Sequence, residues 1–583
     1  MVRELNEFGA IAYLCVLMIT DKISIRRLAA ICVKKGIKHV VFSHGSRCAP
    51  LILAFEEYDE IHKYQIIDER SAAHFALGIA QQTKHTVALV CTSGTAVLNY
   101  SMAVAEAYYQ RIPLLLLTAD RPKEWVDQLD MQTINQTNVF SNYVKASYEL
   151  KSSAQADDMW YNDRVSNEAI NASLADAMGP VHLNIPMSEP LYRAAKHEEQ
   201  GLPVVKIIDT MYPPKRLSTN QLNVLVEAYN QHPKVMLIIG LNHPDKQLTS
   251  LLDELVLHKD VLILTESTSN LHSTNFISEI DLLLESFGDD HYARFAPDLL
   301  ISIGGFVVSK KIKTLFRTHR PKAHWHIDEG NQSPDTYQAL TMMIAANPKE
   351  LLTALLPLLP NKDIGYSKPF IQRLDHIKSL KEEYIKSIPF CDLKAYAIIA
   401  KHIPHPYLLQ WGNSTPVRYS CLVPLHADNV SYGNRGVGGI DGAMSTALGA
   451  CVGSELPTLL VIGDLGFFHD NNALWNPYIH NLSFRIIVIN NEGGNIFSII
   501  DGPNALDNNI VEKYFTTYHK NSIADKAKSF DIEYTLALDE SALDQALVDF
   551  FNDEVKPKIL EVKTDGGVSS KALKELFRII KLG

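Results

Sequence analysis

Residues 458–497 read TLLVIGDLGFFHDNNALWNPYIHNLSFRIIVINNEGGNIF, and the pattern of this segment indicates the fold class of the chain. Two apolar runs, residues 459–462 and 486–489, are separated by a segment of helical length, which predicts a strand, a helix and a second strand. Parallel strands joined by a right-handed crossover end at the same edge of a sheet, where ligands of open α/β folds bind. Asp464 and Asn491, which follow the two runs, are therefore expected to be neighbours.

The side chains at this edge suit a hard divalent cation. Asp464 and Asn491 offer oxygen ligands, the backbone carbonyl at Gly493 offers a third, and phosphate oxygens and water would complete the coordination shell. We expect Mg²⁺, with Mn²⁺ as its substitute. An ordinary β-α-β turn is the alternative, since Asp and Asn are common at strand ends.

Size, charge and cysteine usage restrict the class of protein. A chain of 583 residues is too long for one core and predicts about three domains. The formal net charge of −11 argues against a nucleic-acid binder, which needs a basic surface to displace counterions from phosphates. The seven cysteines form neither a C-x-x-C pair nor a zinc spacing, which favours a reducing, cytoplasmic location.

Residues 1–19 are expected to be an N-terminal extension. The apolar run at residues 9–19 is shorter than the roughly 20 residues of a membrane span, and no basic region precedes it as in a secretory signal. We therefore predict no membrane association. A translation start at Met18 instead of Met1 is the hypothesis we favour for this segment.

The rest of the chain alternates strands and helices, which predicts an α/β protein of three doubly wound domains with mainly parallel sheets. The first domain, residues 20–195, has predicted strands at 39–42, 64–67, 86–90 and 114–117. The second, residues 202–360, has predicted strands at 235–239, 261–264 and 299–303, and it lacks a G-x-G-x-x-G motif. After a linker near residues 357–368, the third domain extends over residues 380–583.

Six segments in the same order carry a family resemblance. They are GSRCAPL from Gly45, DERSAAHFALGIA from Asp68, VALVCTSGTAVLNY from Val87, LLLLTADRP from Leu114, SYGNRGVGGIDGAMSTALGA from Ser431 and GDLGFFHDNNALW from Gly463. This set resembles the thiamine diphosphate enzymes of the 2-succinyl-5-enolpyruvyl-6-hydroxy-3-cyclohexene-1-carboxylate synthase (MenD) family of menaquinone biosynthesis. The superfamily usually has GDG where this chain has Gly463-Asp464-Leu465.

The resemblance implies where the cofactor would bind. The first domain would bind the aminopyrimidine, where Glu69 would hydrogen-bond N1′ and favour the tautomer that removes the proton from C2 of the thiazolium. An isolated Glu at a helix start is otherwise a solvated first-turn residue. The third domain would bind the diphosphate, with Ile440 holding the cofactor bent, although Ile440 also suits plain core packing. The implied cofactor contacts are Glu69, Gly438, Gly439, Ile440, Asp464, Leu465, Asn491, Gly493 and Ile496.

The resemblance also implies the reaction, in which 2-oxoglutarate is decarboxylated and the product is added to isochorismate. Both substrates are dianions, so the implied substrate contacts are largely cationic. They are Ser46, Arg47, Arg121, Gln132, Lys310, Lys311, Ser414, Arg418, Arg435 and Phe497. Ser414, Arg418 and Arg435 are assigned to the oxoglutarate adduct, and Arg47, Arg121, Gln132 and Lys310 to isochorismate. Lys311 replaces a common Arg and loses its planar fork, and lysines on a helix are often simply solvated.

In this superfamily the pyrimidine and diphosphate domains of different chains face each other. A homodimer or homotetramer with its active site between chains is therefore implied. The nearest alternative function is that of an acetolactate-synthase-like enzyme or another 2-oxo-acid decarboxylase, which would not need this set of arginines. A non-catalytic ligand-sensing or scaffold protein is a further alternative, but it would not need Glu69 together with Asp464 and Asn491.

Overall fold

The computed structural model describes residues 18–196, 201–213, 215–287, 289–330, 332–499, 502, 506–552 and 554–582. Within these ranges the strands form three parallel sheets and one short antiparallel pair, Met18–Thr20 with Ala194–Lys196. The expected α/β class is confirmed. Most of the predicted N-terminal extension lies outside the described residues. No helix among the described residues is long and apolar enough to cross a membrane.

The first domain is built on a six-stranded parallel sheet. Its strands, in spatial order, are His62–Gln65, His39–Ser43, Val87–Cys91, Leu114–Asp120, Val181–Pro186 and Ser147–Glu149. Its helices are Ile23–Lys34, Ala49–Glu56, Glu69–Thr83, Thr95–Asn99, Ser101–Gln110 and Ala156–Leu174. Val41 and Leu89 join one core cluster, whereas their neighbours Val40 and Val90 join another. Both faces of the sheet are therefore covered by helices, as in a doubly wound fold.

The second domain has a five-stranded parallel sheet. Its strands, in spatial order, are Leu262–Leu264, Val235–Ile239, Leu299–Ile303, Ala323–Asp328 and Leu340–Ala345. Its helices are Thr219–Asn230, Lys246–Lys259, Ile280–Glu285, Asp289–Phe295, Lys310–Thr318 and Pro348–Leu355. Short 3₁₀ turns at Ser267–Ser269 and Leu356–Leu358 complete it.

The third domain has the sheet predicted from residues 458–497. Its strands, in spatial order, are Val430–Tyr432, Leu408–Trp411, Thr458–Gly463, Phe484–Asn490, Lys558–Lys563 and Glu533–Ala537, all paired in parallel. Its larger helices are Lys368–Ser387, Asp392–His402, Ala443–Gly453, Ile523–Ser529, Glu540–Phe550 and Gly566–Leu582. Shorter helices are Pro416–Tyr419, Asp464–His469, Ile496–Ile499 and Asn508–Val511. Thr458–Gly463 and Phe484–Asn490 are direct neighbours, so their carboxyl ends meet as expected.

Two helices hold the first and third domains together within one chain. Glu69–Thr83 packs on Ala443–Gly453 so closely that a Cβ on Gly78 would lie 2.0 Å from the carbonyl oxygen of Thr446. A Cβ on Gly449 would lie 1.9 Å from a carbonyl oxygen of the facing helix. Only glycines allow the two backbones to touch in this way. The helix that begins at Glu69 is thereby fixed against the helix that follows the glycine-rich loop, residues 436–442.

Several predicted bounds differ slightly from the observed ones, as at Val87–Cys91 and Leu114–Asp120. Two further differences move a whole strand and the start of a domain. The strand predicted at residues 64–67 is His62–Gln65, because Ile67 is 49% exposed and lies past the end of the strand pairing. The apolar pair at residues 66–67 had suggested a strand interior. Helix Lys368–Ser387 extends across residue 380, where the third domain was predicted to begin.

Candidate active site

Asp464 is held at the carboxyl end of its strand by the backbone around it. The residue begins a short helix, and its Oδ1 accepts a hydrogen bond from the amide of Leu465 at 2.7 Å. Its Oδ2 accepts the amide of Gly493 at 2.8 Å and lies 3.3 Å from Nε2 of His519. Burial raises the pKa of Asp464 to about 6, which these polar neighbours oppose. A divalent cation would favour the charged carboxylate at this position.

Asn491 lies at the end of the neighbouring strand, buried and oriented by a second carboxylate. Its Nδ2 donates to Oδ2 of Asp392 at 3.1 Å, which leaves the amide oxygen as the group available to a cation. Asp392 is fully buried and also accepts hydrogen bonds from the hydroxyls of Thr564 and Ser569. An orienting partner behind a ligand is a common feature of metal sites.

Gly493 completes this group for a steric reason. A Cβ at Gly493 would lie 2.6 Å from the carbonyl oxygen of Thr516, so the loop can pass only if residue 493 is glycine. The oxygen atoms of Asp464, Asn491 and the backbone at Gly493 form a set that fits Mg²⁺. Leu465 is half-buried beside them, and the short helix Ile496–Ile499 follows.

The glycine-rich loop is held by a carboxylate from the first domain. Glu106, on helix Ser101–Gln110, accepts hydrogen bonds from the amides of Gly436, Val437 and Gly438. Gly438 has a φ of 89°, which favours glycine. These amides already have a partner, so the loop is fixed in place by its own chain. Gly439 and Ile440 follow it and are partly exposed.

Glu69 is the first residue of its helix, and Asp68 caps that helix by accepting from the amides of Arg70 and Ser71. Oε2 of Glu69 accepts one hydrogen bond, from Nδ2 of Asn99 at 3.2 Å. The side chain is partly exposed. Among the described residues, no hydrogen bond or ion pair joins Glu69 to Asp464, Asn491 or Gly493 of the same chain.

Two arginines of the first domain lie close together. Arg47 is 5% exposed and donates to the carbonyl oxygen of Met187 at 2.9 Å, and burial together with the nearby Arg121 lowers its pKa. Arg121 donates to the carbonyl oxygen of Met131 at 3.0 Å and forms an ion pair with Asp130 at 3.3 Å, while its buried Nε has no hydrogen-bond partner within the described residues. Gln132 and Ser46 are exposed, and Gln132 has a φ of 54° where it crosses over Gly94.

A second cationic group lies between the central and third domains. Arg435 donates to Oδ1 of Asn413 at 2.7 Å, and burial and the neighbouring Arg418 lower its pKa. The Nε atoms of Arg418 and Arg435 are buried, and neither has a hydrogen-bond partner in the part of the chain that the structure describes. Ser414 follows Asn413 with a φ of 76°. Unpaired guanidinium N–H groups in a buried place suit an anionic ligand.

A cavity of about 640 Å³ brings the central domain to this group. Lys310 and Lys311 line it together with Arg418. Lys310 is exposed at the start of its helix. Lys311 instead forms an ion pair with Glu285, and its Nζ lies 4.3 Å from the ring centroid of Phe577. The structure thus engages Lys311 within its own chain and leaves Lys310 open to solvent.

Phe497, the last of the predicted substrate contacts, lies in helix Ile496–Ile499. Its ring meets Phe515 edge to face with centroids 5.4 Å apart. Phe515 belongs to the short helical turn Glu512–Thr516, whose end supports Gly493 and Gly494 through the carbonyl of Thr516. Phe497 is therefore joined to the loop that carries Gly493.

Comparisons with known proteins agree over nearly the whole chain. The family model described as "Thiamine pyrophosphate enzyme, N-terminal TPP binding domain" matches residues 25–139, and its C-terminal counterpart matches residues 417–562. The 2-succinyl-5-enolpyruvyl-6-hydroxy-3-cyclohexene-1-carboxylate synthase of Christiangramia forsetii is 38% identical over 95% of this chain and 98% of its own. The synthase of the same name from Flavobacterium psychrophilum is 39% identical over 96% of this chain and 100% of its own. The chain belongs to this synthase family.

Membership in the synthase family places the predicted site residues of the first and third domains in the two cofactor-binding domains of one family. The N-terminal thiamine pyrophosphate-binding domain contains Glu69, Arg47 and Arg121, and the C-terminal one contains Asp464 and Asn491. Both sets of residues therefore lie in domains of the thiamine pyrophosphate-binding type, while Lys310 lies in the central domain between those two domains.

Several residues of this synthase-family chain were missed by the sequence analysis. Glu106 and Asp392 are buried carboxylates, and a single acidic residue in an apolar helix was the signal available for Glu106. Lys313 donates to the carbonyl oxygen of Val307 at 2.6 Å, and burial lowers its pKa, with Arg435 and Arg418 lowering it further. Its position near the arginines depends on contacts between domains, for which the sequence has no signal. His519 lies far along the chain from Asp464 and has no motif around it.

Proposed function

We propose that this protein is a thiamine diphosphate- and Mg²⁺-dependent transferase that decarboxylates 2-oxoglutarate and adds the resulting succinyl carbanion equivalent to isochorismate. The product would be 2-succinyl-5-enolpyruvyl-6-hydroxy-3-cyclohexene-1-carboxylate, an intermediate of menaquinone biosynthesis. The observation that carries the proposal is the near-full-length identity to synthases of that name.

The residues present fit the cofactor. Bound thiamine diphosphate would supply the carbanion chemistry of the reaction. Asp464, Asn491 and the backbone carbonyl of Gly493 would hold Mg²⁺, and Mn²⁺ has the same preference for oxygen ligands. Glu69 would hold a proton at N1′ of the aminopyrimidine, a role that its partly exposed carboxylate can fill because Asn99 alone is hydrogen-bonded to it among the described residues.

The cations explain how a protein with a net charge of −11 would accept two dianions. Arg121, Arg418 and Arg435 each keep a buried Nε without a partner among the described residues. A substrate carboxylate would satisfy such a donor and would be neutralised by the same group. Arg418, Arg435 and Ser414 would bind the oxoglutarate part, while Arg47, Arg121, Gln132 and Lys310 would bind isochorismate.

The proposal extends to assembly and location. A homodimer or homotetramer would place Glu69 of one chain beside Asp464 of another, and within the described part of one chain no hydrogen bond or ion pair joins the two residues. A cytoplasmic location is supported by the free cysteines, of which Cys32, Cys48 and Cys91 are fully buried thiols.

One assay tests the proposed function. The protein is incubated with thiamine diphosphate, Mg²⁺ and 2-oxoglutarate, with and without isochorismate, and CO₂ and the adduct are quantified. We expect CO₂ release and adduct formation to depend on both substrates. A parallel incubation contains pyruvate in place of 2-oxoglutarate. Equal or faster turnover of pyruvate there would favour an acetolactate-synthase-like enzyme, because pyruvate has no second carboxylate to engage the arginines. Absence of any 2-oxo-acid turnover would refute the catalytic proposal.

A further inference from the structure

The central domain contains an unusual run of buried polar residues, residues 266–270, with the sequence ESTSN. Exposure in this 266–270 segment ranges from 0% at Thr268 and Ser269 to 9% at Ser267. Five consecutive polar residues are seldom buried, since each must find hydrogen-bond partners inside the protein. Glu266, Ser267 and Asn270 of this segment hydrogen-bond to three elements, of which two carry a cation of the proposed substrate site and the third leads to one.

The first partner is the start of the helix that carries Lys310. Oε2 of Glu266 accepts a hydrogen bond from the amide of Val308 at 2.6 Å, and Oε1 accepts one from the amide of Ser309 at 2.7 Å. Ser309 is the N-cap of helix Lys310–Thr318, and its Oγ accepts from the amide of Ile312. The carboxylate of Glu266 therefore holds the backbone where this helix begins, next to Lys310, while the hydroxyl of Ser309 donates to Asp281.

The second partner is the end of the short helix that carries Arg418. The hydroxyls of Ser267 and Ser420 share a hydrogen bond of 2.7 Å, and both residues are buried. Ser420 directly follows helix Pro416–Tyr419, and its Oγ also contacts the carbonyl oxygen of Val417. This bond joins the central domain to the third domain beside Arg418.

The third partner is the strand that leads to Arg435. Nδ2 of Asn270 donates to the carbonyl oxygen of Ser431 at 2.8 Å, and Oδ1 of Asn270 accepts the amide of Ser431 at 2.7 Å. Ser431 is the middle residue of strand Val430–Tyr432. Asn270 has a φ of 55° and also donates to the carbonyl oxygen of Asn242, so its side chain is held on both sides.

We propose that the 266–270 segment is a positioning device that sets the spacing of Lys310 relative to Arg418 and Arg435, and thereby selects the two dianionic substrates. The proposal rests on the proposed function for the identity of those substrates. Substrate carboxylates must meet cations from two domains at once, and a displacement of about 1 Å is enough to reduce turnover strongly. Glu266 positions the cation assigned to isochorismate through its two hydrogen bonds, and it acts on Arg435 only through its charge, which opposes the lowering of the pKa of that guanidinium by burial. Ser267 and Asn270 hydrogen-bond to the elements beside the cations assigned to 2-oxoglutarate.

Steady-state kinetics of full-length variants test this division. Glu266→Gln keeps the size of the side chain but cannot accept both amides, because its NH₂ group is a donor. It should raise the KM for isochorismate about tenfold and change the KM for 2-oxoglutarate less than about threefold. Asn270→Ala should do the reverse. A purely structural role would lower the fraction of folded protein, and hence the apparent kcat, without separating the two KM values.

Asn275→Ala is the matched control, because Asn275 is a partly buried asparagine of the same domain that bonds to Asp253 rather than to the three elements. It should leave both KM values unchanged. Wild-type KM values for both substrates in Glu266→Gln and Asn270→Ala would overturn the proposal, as would a parallel rise of both KM values in each variant. If Asn270→Ala does not fold, Ser267→Ala removes a single hydrogen bond of the same interface and should raise the KM for 2-oxoglutarate.

Hydrogen exchange separates this proposal from the proposed function. In Glu266→Gln, the amides of residues 308–312 should exchange at least about tenfold faster while residues 430–435 keep wild-type rates. Asn270→Ala should show the opposite pattern. Wild-type protein that exchanges as expected but does not turn over the two substrates would refute the proposed function alone. Unchanged exchange in both variants would refute the positioning role whatever the activity.

Discussion

The two ends of the proposed cofactor site differ in how completely one chain builds them. The aspartate end, Asp464, Asn491 and Gly493, is buried, and hydrogen bonds fix each of its polar side chains. The glutamate end, Glu69 with Asn99, is partly exposed, and within the described residues the carboxylate of Glu69 accepts one hydrogen bond, of 3.2 Å. A single chain thus preorganises the aspartate end, where the metal is proposed to bind, but leaves the glutamate end open.

The difference has a physical logic. An oxygen-lined metal site gains affinity when its ligands are held in place before the ion arrives. A carboxylate that holds a proton on a ring needs that ring as its partner, and a tight bond to its own chain would compete with it. The open glutamate end is therefore what a site completed by another chain would require.

The largest effect is expected at the glutamate end. Glu69→Gln removes the carboxylate but keeps the side-chain size, so cofactor binding should stay within about threefold of wild type while kcat falls about 10³-fold. Calorimetry with thiamine diphosphate and Mg²⁺, combined with CO₂ release, measures the two quantities. Glu60→Gln, at an exposed position, is the control. Near-wild-type kcat in Glu69→Gln would remove this residue from the mechanism.

A binding effect is expected at the aspartate end. Asp464→Ala deletes a carboxylate oxygen from the proposed cation site, so Mg²⁺-dependent binding of thiamine diphosphate should weaken at least about 100-fold. Titration calorimetry at several Mg²⁺ concentrations measures this loss. Asp525→Ala, which removes an exposed carboxylate of the same domain, should bind normally. If Asp464→Ala retained Mg²⁺-dependent binding, the cation would have to be held elsewhere.

The residues of the aspartate end were easier to predict from the sequence than contacts between domains. Asp464 and Asn491 could be predicted because each lies at the end of an apolar strand, and adjacent parallel strands bring their ends together whatever the rest of the fold does. The strands at Val235–Ile239 and Leu299–Ile303 were predicted to the residue, and all five positions of each are buried. Local patterns of this kind suffice where the site is built from neighbouring segments.

Contacts between domains left no such pattern. Glu106 holds a loop that lies more than 300 residues later in the chain, and nothing around Glu106 indicates this partner. The 266–270 segment has the composition of an exposed loop, yet it is buried because a second domain covers it. Lys311 resembled a substrate contact, and its ion pair with Glu285 became visible only with the fold. The sequence therefore predicts residues at strand ends better than residues at domain boundaries.

Mixing the two inactive variants tests whether the ends come from different chains. If each site takes Glu69 from one chain and Asp464 from another, a dimer of one Glu69→Gln chain and one Asp464→Ala chain contains one intact site. The purified mixed dimer should then have about half of wild-type activity, because one of its two sites is intact. Differently tagged chains are co-expressed, the mixed species is purified, and CO₂ release is measured. Each variant reassociated with itself is the control, and no recovery in the mixed species would place both residues in a single chain's site.

The smallest effect concerns the free energy of unfolding, which the burial of Asp470 beside the aspartate end lowers. Asp470 ends the segment begun by Asp464, and it is fully buried, where it accepts the amide and the hydroxyl of Ser445 at 2.7 and 2.9 Å. Burial raises the pKa of Asp470 to about 7 from its usual value near 3.8. The folded state therefore favours the protonated form, and this residue's contribution to stability declines as pH rises from about 4 to about 7.

Asp470→Asn removes this titration while keeping a carbonyl oxygen as acceptor. Between pH 5 and pH 8, without Mg²⁺, the apparent Tm of the wild type should fall by about 2–4 °C more than that of Asp470→Asn. Scanning calorimetry of both proteins, with the exposed Asp525→Asn as control, measures the difference. Identical pH dependence in the wild type and Asp470→Asn would show that Asp470 is already ionised at pH 5. In that case the burial of Asp470 would not lower the free energy of unfolding, because the two hydrogen bonds from Ser445 would fully offset the burial of the charge.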